Sequence, residues 1–188
     1  MNATEIETGE TGDSNVRAFP LPETNLYKII ADPEYRKTFH DRVKSGNRMM
    51  APLYRLRILP LFGLGKQIML LTTRGRVSDR LRDTPIGYFR IDGVIHVFSG
   101  WGKAANWYKN MSAHPDEVYL QVGFQRFRAR PEVVEDRQEL EQANRRLVLQ
   151  DPGGAHALMG WDPEVDSLER TDFSMMVEKV MVVRFYPV

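Results

Sequence analysis

Apolar and polar positions change their period along the chain, and the changes divide it into helical and extended parts. Asp32-Pro33-Glu34 is a helix start: Asp caps free amides, Pro loses nothing at the first helical position and Glu complements the dipole. The predicted helix runs over 33–45 and ends at Gly46. A second helical segment is expected over 48–57, with Met49, Leu53 and Leu56 on one face and Arg48, Arg55 and Arg57 among them, stopped by Pro60. From Lys66 the period shortens. Residues 67–73 are apolar on both faces, as in a strand buried on both sides, and 84–91 and 94–99 flank Asp92-Gly93, a hairpin signal.

A second hairpin is predicted about Gly123, between 117–122 and 124–133, with Arg126, Arg128 and Arg130 on one strand face and Phe127 and Ala129 on the other. Between the hairpins, 106–113 reads as a short helix opened by Asn106 as cap. Residues 135–149 carry acids early and arginines late, the helix orientation the macrodipole favours, and Asp151-Pro152-Gly153-Gly154 is expected to end that helix. Residues 155–174, interrupted by Pro163, read as a loop with short helices over a site mouth. The Val-rich stretch 177–186 returns to the sheet.

Composition narrows the classes. The 188 residues are 42% hydrophobic and 27% charged, ordinary for one globular domain; a disordered, acidic tail is expected over 1–20 and a single domain over 21–188. That tail lacks the basic and apolar regions of a secretory signal. Lys plus Arg (26) nearly balances Asp plus Glu (25), so anion binding must come from local clustering, and the arginine strand argues poorly for nucleic acid. The absence of cysteine removes thiol chemistry and suits a cytoplasmic setting. Four scattered histidines give no metal-ligand spacing, so no metal is expected.

Two segments carry candidate chemistry. Arg74, Arg76, Arg80 and Arg82 surround Gly75, Ser78 and Asp79 in a turn between strands, offering guanidinium forks, amides and a hydroxyl to a phosphate; a charged hairpin tip in solvent is the alternative. Ser99-Gly100-Trp101-Gly102 sets two glycines beside an indole, so that backbone can approach a flat ligand. Lys103 follows. Trp107, Tyr108 and Asn110 lie on the next helix, as core anchors or as walls of a pocket.

The spacing Thr72, Gly75, Arg76, Ser78, Arg82 and Pro85, followed by Trp107-Tyr108-x-Asn110, resembles the paired signatures of the deazaflavin-dependent nitroreductase and quinone reductase family. Val77 and Asp79 stand where that pattern has Lys and Gly. The resemblance implies an α+β split β-barrel of about six mainly antiparallel strands with flanking helices. It also implies coenzyme F420 as hydride donor to a quinone, nitroaromatic or similar planar acceptor. Arg74, Arg76, Ser78, Arg80 and Arg82 would hold its anionic end, and Gly100, Trp101, Lys103, Trp107 and Tyr108 its ring. Tyr88 and Ser99 are candidate proton donors, with His156 entering from the C-terminal loop. FMN is the alternative cofactor, and a non-catalytic barrel binding a hydrophobic ligand the alternative function. Homodimerisation and peripheral membrane contact through the basic helix at 48–57 complete the expectations.

Overall fold

The computed structural model describes residues 16–56 and 67–188. Its centre is a seven-stranded antiparallel sheet of β2 (Ile68–Arg74), β3 (Leu81–Gly87), β4 (Phe89–Ile91), β5 (Val94–Ser99), β6 (Val118–Val122), β7 (Gln125–Val134) and β9 (Met181–Pro187). Their order across the sheet is β3-β2-β6-β7-β9-β5-β4. The sheet curls until β3 meets β5, giving a split barrel. The expected sheet of about six strands has seven, the run over 84–91 breaking at Tyr88. Before the break β3 pairs with β2; after it β4 pairs with β5.

Alternation sorts the side chains into two layers. Met69 and Leu71 of β2, Ile95 and Val97 of β5, and Val183 and Phe185 of β9 fill the barrel with Trp107 and Leu120. Phe98 and Val182 point outward into a second core, closed by α1 (Asn25–Ala31), α4 (Arg137–Gln150), α5 (Pro152–Met159) and α6 (Ser174–Lys179). Both hairpins form as predicted. Asp92 and Gly93 take φ of 51° and 78°, the left-handed pair a tight two-residue turn needs. Gly123 turns at φ 57°, between register partners Val122 and Gln125.

The helical expectations need four corrections. One helix, α2 (Pro33–Arg55), runs through Gly46 and Pro52 in place of two. Glycine costs a helix only about 1 kcal/mol relative to Ala, and burial of one stripe outweighs it: Tyr35, Phe39, Val43, Met50 and Tyr54 are buried or half-buried at helical spacing. Arg57 and Pro60 lie outside the described residues. Asp151-Pro152 ends α4 and also starts α5, because the Asp151 N–H bonds back to Leu147 while its carboxylate accepts from the Gly154 amide at 2.9 Å. Asp32-Pro33 is built the same way, with Asp32 accepting from Glu34 and Tyr35. The short helices expected within 155–174 form, at Pro152–Met159 and Leu168–Arg170, but the segment packs inward and not over a site mouth: Ala155, Met159 and Trp161 are core, and α5 packs on α4 and α1. Residues 177–179 belong to α6, so the last strand starts at Met181.

The end of the expected tail joins the fold. β1 (Arg17–Ala18) pairs in parallel with β8 (Thr171–Asp172), and Phe19 and Leu21 are buried. Residues 1–15 lie outside the described residues.

Tyr54 fastens α2 to the sheet. Its fully buried hydroxyl donates to the Ile68 carbonyl at 2.6 Å and accepts from the Gly123 amide at 3.3 Å, and Gln121 donates to its backbone carbonyl at 3.0 Å. Burial pushes its pKa above the ordinary tyrosine value. Tyr54→Phe orphans a buried carbonyl and amide, so urea unfolding is expected to show a loss of about 1–3 kcal/mol.

Candidate functional site

The turn between β2 and β3 is shaped by three backbone constraints. Gly75 donates to the Arg80 carbonyl at 2.9 Å and accepts from the Asp79 amide at 2.8 Å. A Cβ on Gly75 would lie 2.7 Å from Ser78 Oγ and 3.2 Å from the Arg80 carbonyl, so the turn closes only around glycine. Asp79 sits at φ 54°, left-handed backbone where a glycine is unstrained and Asp is among the residues that tolerate it. Val77 is 88% exposed at the tip.

The four arginines part company in the structure. Arg74 is engaged within the protein: Nε lies 2.8 Å from both Glu117 oxygens, Nη2 is 2.6 Å from Oε2, and Nη1 donates to the Asp79 carbonyl at 2.9 Å. Glu117 and then Asp79 hold its pKa above the ordinary arginine value, and Arg74 in turn holds the Glu117 carboxyl below the usual range. Arg76 is fixed from the other side. Its backbone N–H and Nη1 both donate to Asn110 Oδ1, at 3.2 and 3.1 Å, and both terminal nitrogens lie 3.5 Å from Asn106 Oδ1. Arg82 donates to Ser78 Oγ at 3.2 Å. Arg80 has no side-chain partner among the described residues.

The helix α3 (Asn106–Ala113) thus joins the two sequence motifs. Asn106 is not its cap: Ala105 holds that position without a side-chain bond, and the Asn106 carbonyl faces Arg76 instead. From the sequence, Asn106 stands only as a cap and Asn110 only as part of the Trp107-Tyr108-x-Asn110 motif, neither as a partner of Arg76. Their i, i+4 spacing on one helix face was the available signal. Glu117 was also missed, being 43 residues from the arginine it pairs with.

The expected ring-pocket residues scatter in role. Gly100 is tight because of α1: a Cβ there would meet Leu26 at 2.9 Å and Ile29 at 3.2 Å. Its close approach is to protein, a correction to the flat-ligand reading. Trp101 stacks on Phe39 of α2, with ring centroids 5.9 Å apart, and its buried indole N–H has no partner among the described residues. Lys103 pairs with Glu135 at 3.2 Å, which holds its pKa above the ordinary lysine value. Trp107 is barrel core, set edge-on to half-buried Tyr108. Of the candidate proton donors, Tyr88 is barrel core and Ser99 is buried at the end of β5. His156 is exposed on α5, away from any loop mouth.

A profile of the F420H(2)-dependent quinone reductases matches residues 58–162, more than half of the chain. The chain belongs to that family. This F420-dependent reductase is thereby an oxidoreductase whose coenzyme is F420, and the FMN and non-catalytic alternatives give way. Similar solved structures include an F420-H2 dependent reductase, at 22% identity over 64% of this chain and 95% of that one, TM-score 0.42. A conserved hypothetical protein of Mycobacterium tuberculosis is 19% identical over 64% and 72% of the two chains, TM-score 0.43. A NimC/NimA family protein of Clostridium acetobutylicum is 16% identical over 64% and 73%, TM-score 0.39. No match is found among curated proteins. Among the described residues, no helix of the reductase is long and apolar enough to cross a membrane.

The donor set in the turn fits the anionic end of such a coenzyme. Arg76, Arg80 and Arg82 are exposed, Ser78 adds a hydroxyl, and the amides of Val77 and Ser78 have no partner among the described residues.

The Glu117 carboxyl has a depressed folded pKa, so its link to Arg74 contributes stability above the ordinary glutamate range and loses it as pH falls through the folded value. Carbon-13 NMR is expected to find its midpoint below about 4.3, returning toward that value in Arg74→Gln.

Proposed function

We propose that this reductase passes hydride from reduced F420 to a quinone, nitroaromatic or similar planar acceptor, holding the coenzyme's anionic end in the turn between β2 and β3. The observation that carries the reading is the double hold of Asn110 on Arg76, which fixes one guanidinium of the turn against α3 before any ligand arrives. Preorganised donors bind an anion without first losing side-chain freedom. Arg82 and Arg80 complete the charge, while Arg74 acts as a brace through Glu117 and Asp79.

When bound, reduced F420 supplies the hydride. The chain's own part is binding, orientation and proton supply. A quinone that accepts a hydride also takes up one proton to become the quinol, and Ser99 is the preferred local donor because it ends β5 two residues before Trp101. Tyr88, deeper in the barrel, is the second candidate. The Trp101 and Phe39 stack and the Tyr108 face supply flat apolar surface suited to a planar molecule.

Two variants set the sign of the electrostatics. Arg76→Ala with Arg82→Ala removes two donors and is expected to weaken F420 binding at least about 100-fold, each charged contact being worth roughly 1.5–3 kcal/mol. Asp79→Gly removes an anion and relieves left-handed backbone, and is expected to tighten it. Titration of F420 followed by tryptophan fluorescence reads both; unchanged affinity in the double variant would overturn the assignment. Steady-state assay with menadione and with a nitroaromatic then ranks the acceptors.

A further inference from the structure

A cavity of about 310 Å³ lies between α4 and the outer face of β5 and β9, sharing no lining residue with the arginine turn or with 99–108. His96 and Arg184, direct register partners on β5 and β9, form its floor. Glu139, Gln142 and Arg146, on one face of α4, form its roof, with Tyr186 at the side. The outward face of a strand beneath a covering helix is ordinarily apolar, as Phe98 and Val182 are nearby. Here it is polar and hollow.

The unspent hydrogen-bonding groups point to a ligand. The Nδ1 of His96 lies 3.0 Å from the Val94 carbonyl and therefore carries the hydrogen, leaving Nε2 as an acceptor with no protein partner among the described residues. Only one terminal nitrogen of each arginine is engaged: Arg184 Nη1 with Glu139 at 2.8 Å and Glu132 at 3.3 Å, and Arg146 Nη1 with Asp92. The Gln142 amide has no partner among the described residues. Burial, together with Arg184 and Arg146, holds His96 below the ordinary histidine pKa against the opposing pull of the Val94 carbonyl and Asp92, so the ring is a neutral acceptor near pH 7.

We propose that this cavity binds a small 2-hydroxycarboxylate, its carboxylate on the free guanidinium nitrogens of Arg146 and Arg184 and its hydroxyl donating to His96 Nε2. Bidentate geometry suits a carboxylate to either fork. Asp92, Glu132 and Glu139 already neutralise the two guanidiniums, so a phosphate dianion is opposed more strongly than a monoanion. The volume of about 310 Å³ is ample for a molecule of a few heavy atoms.

Titration of the full chain at pH 7 with glycolate, acetate and inorganic phosphate, at ionic strength held by chloride, tests this through the NMR signals of the His96 ring and the Gln142 side-chain amide. Glycolate is expected to saturate and to bind at least about fivefold tighter than acetate, the worth of one hydrogen bond. His96→Leu should abolish that preference, and Arg146→Gln should weaken both acids about tenfold. Gln142→Leu, which touches no ion pair, should weaken glycolate without affecting the fold. Equal binding of glycolate and acetate, tighter binding of phosphate, or linear shifts shared with chloride would overturn the proposal.

Discussion

Everything in this molecule is arranged by the alternation of side chains on a curled sheet. The barrel can fill with Met69, Leu71, Ile95, Val97, Val183 and Phe185 only if Leu70, Phe98 and Val182 face outward, and those outward groups must then be covered. Tyr54 of α2 covers Leu70, and the α1, α4, α5 and α6 layer covers Phe98 and Val182. A one-residue slip of any strand would exchange the two layers. The same rule places the polar pair His96 and Arg184 on the outer face beneath α4, where a hydrocarbon core would otherwise continue.

Within that frame the arginine turn illustrates how charge is divided between structure and ligand. Four guanidiniums in nine residues would repel one another if all were free. Arg74 is taken up by Glu117 and Asp79, and Arg76 is held by neutral carbonyl oxygens that fix its direction without cancelling its charge. That difference separates a brace from a binding group. It also gives Asp79 a place: the carboxylate that dilutes the positive field is the one that anchors Arg74, 3.2 Å away.

The sequence was most informative where a local rule decides. Asp92-Gly93 turned as its composition demanded, and the even spacing of Arg126, Arg128 and Arg130 put them on one exposed face. The motif spacing around Gly75 and Arg76 led to the family. It was least informative where packing overrides propensity. Gly46 sits inside a helix whose stripe of Val43, Met50 and Tyr54 is half-buried or buried, and Asp151-Pro152 both stops one helix and starts the next, as the like pair Asp32-Pro33 does. Gly100 looked like room for a ligand and is room for Leu26.

By itself, then, the sequence determined the period of each segment, the turns, the cap chemistry and the presence of an arginine-rich turn between strands. These depend on interactions within a few residues, which order along the chain fully specifies. Which arginine meets Glu117, which meets Asn110, what leans on Gly100 and where a cavity is left under α4 were decided only by the tertiary structure. Those outcomes rest on distances between groups tens of residues apart, and such distances exist only once the sheet has closed and the helices have settled on it.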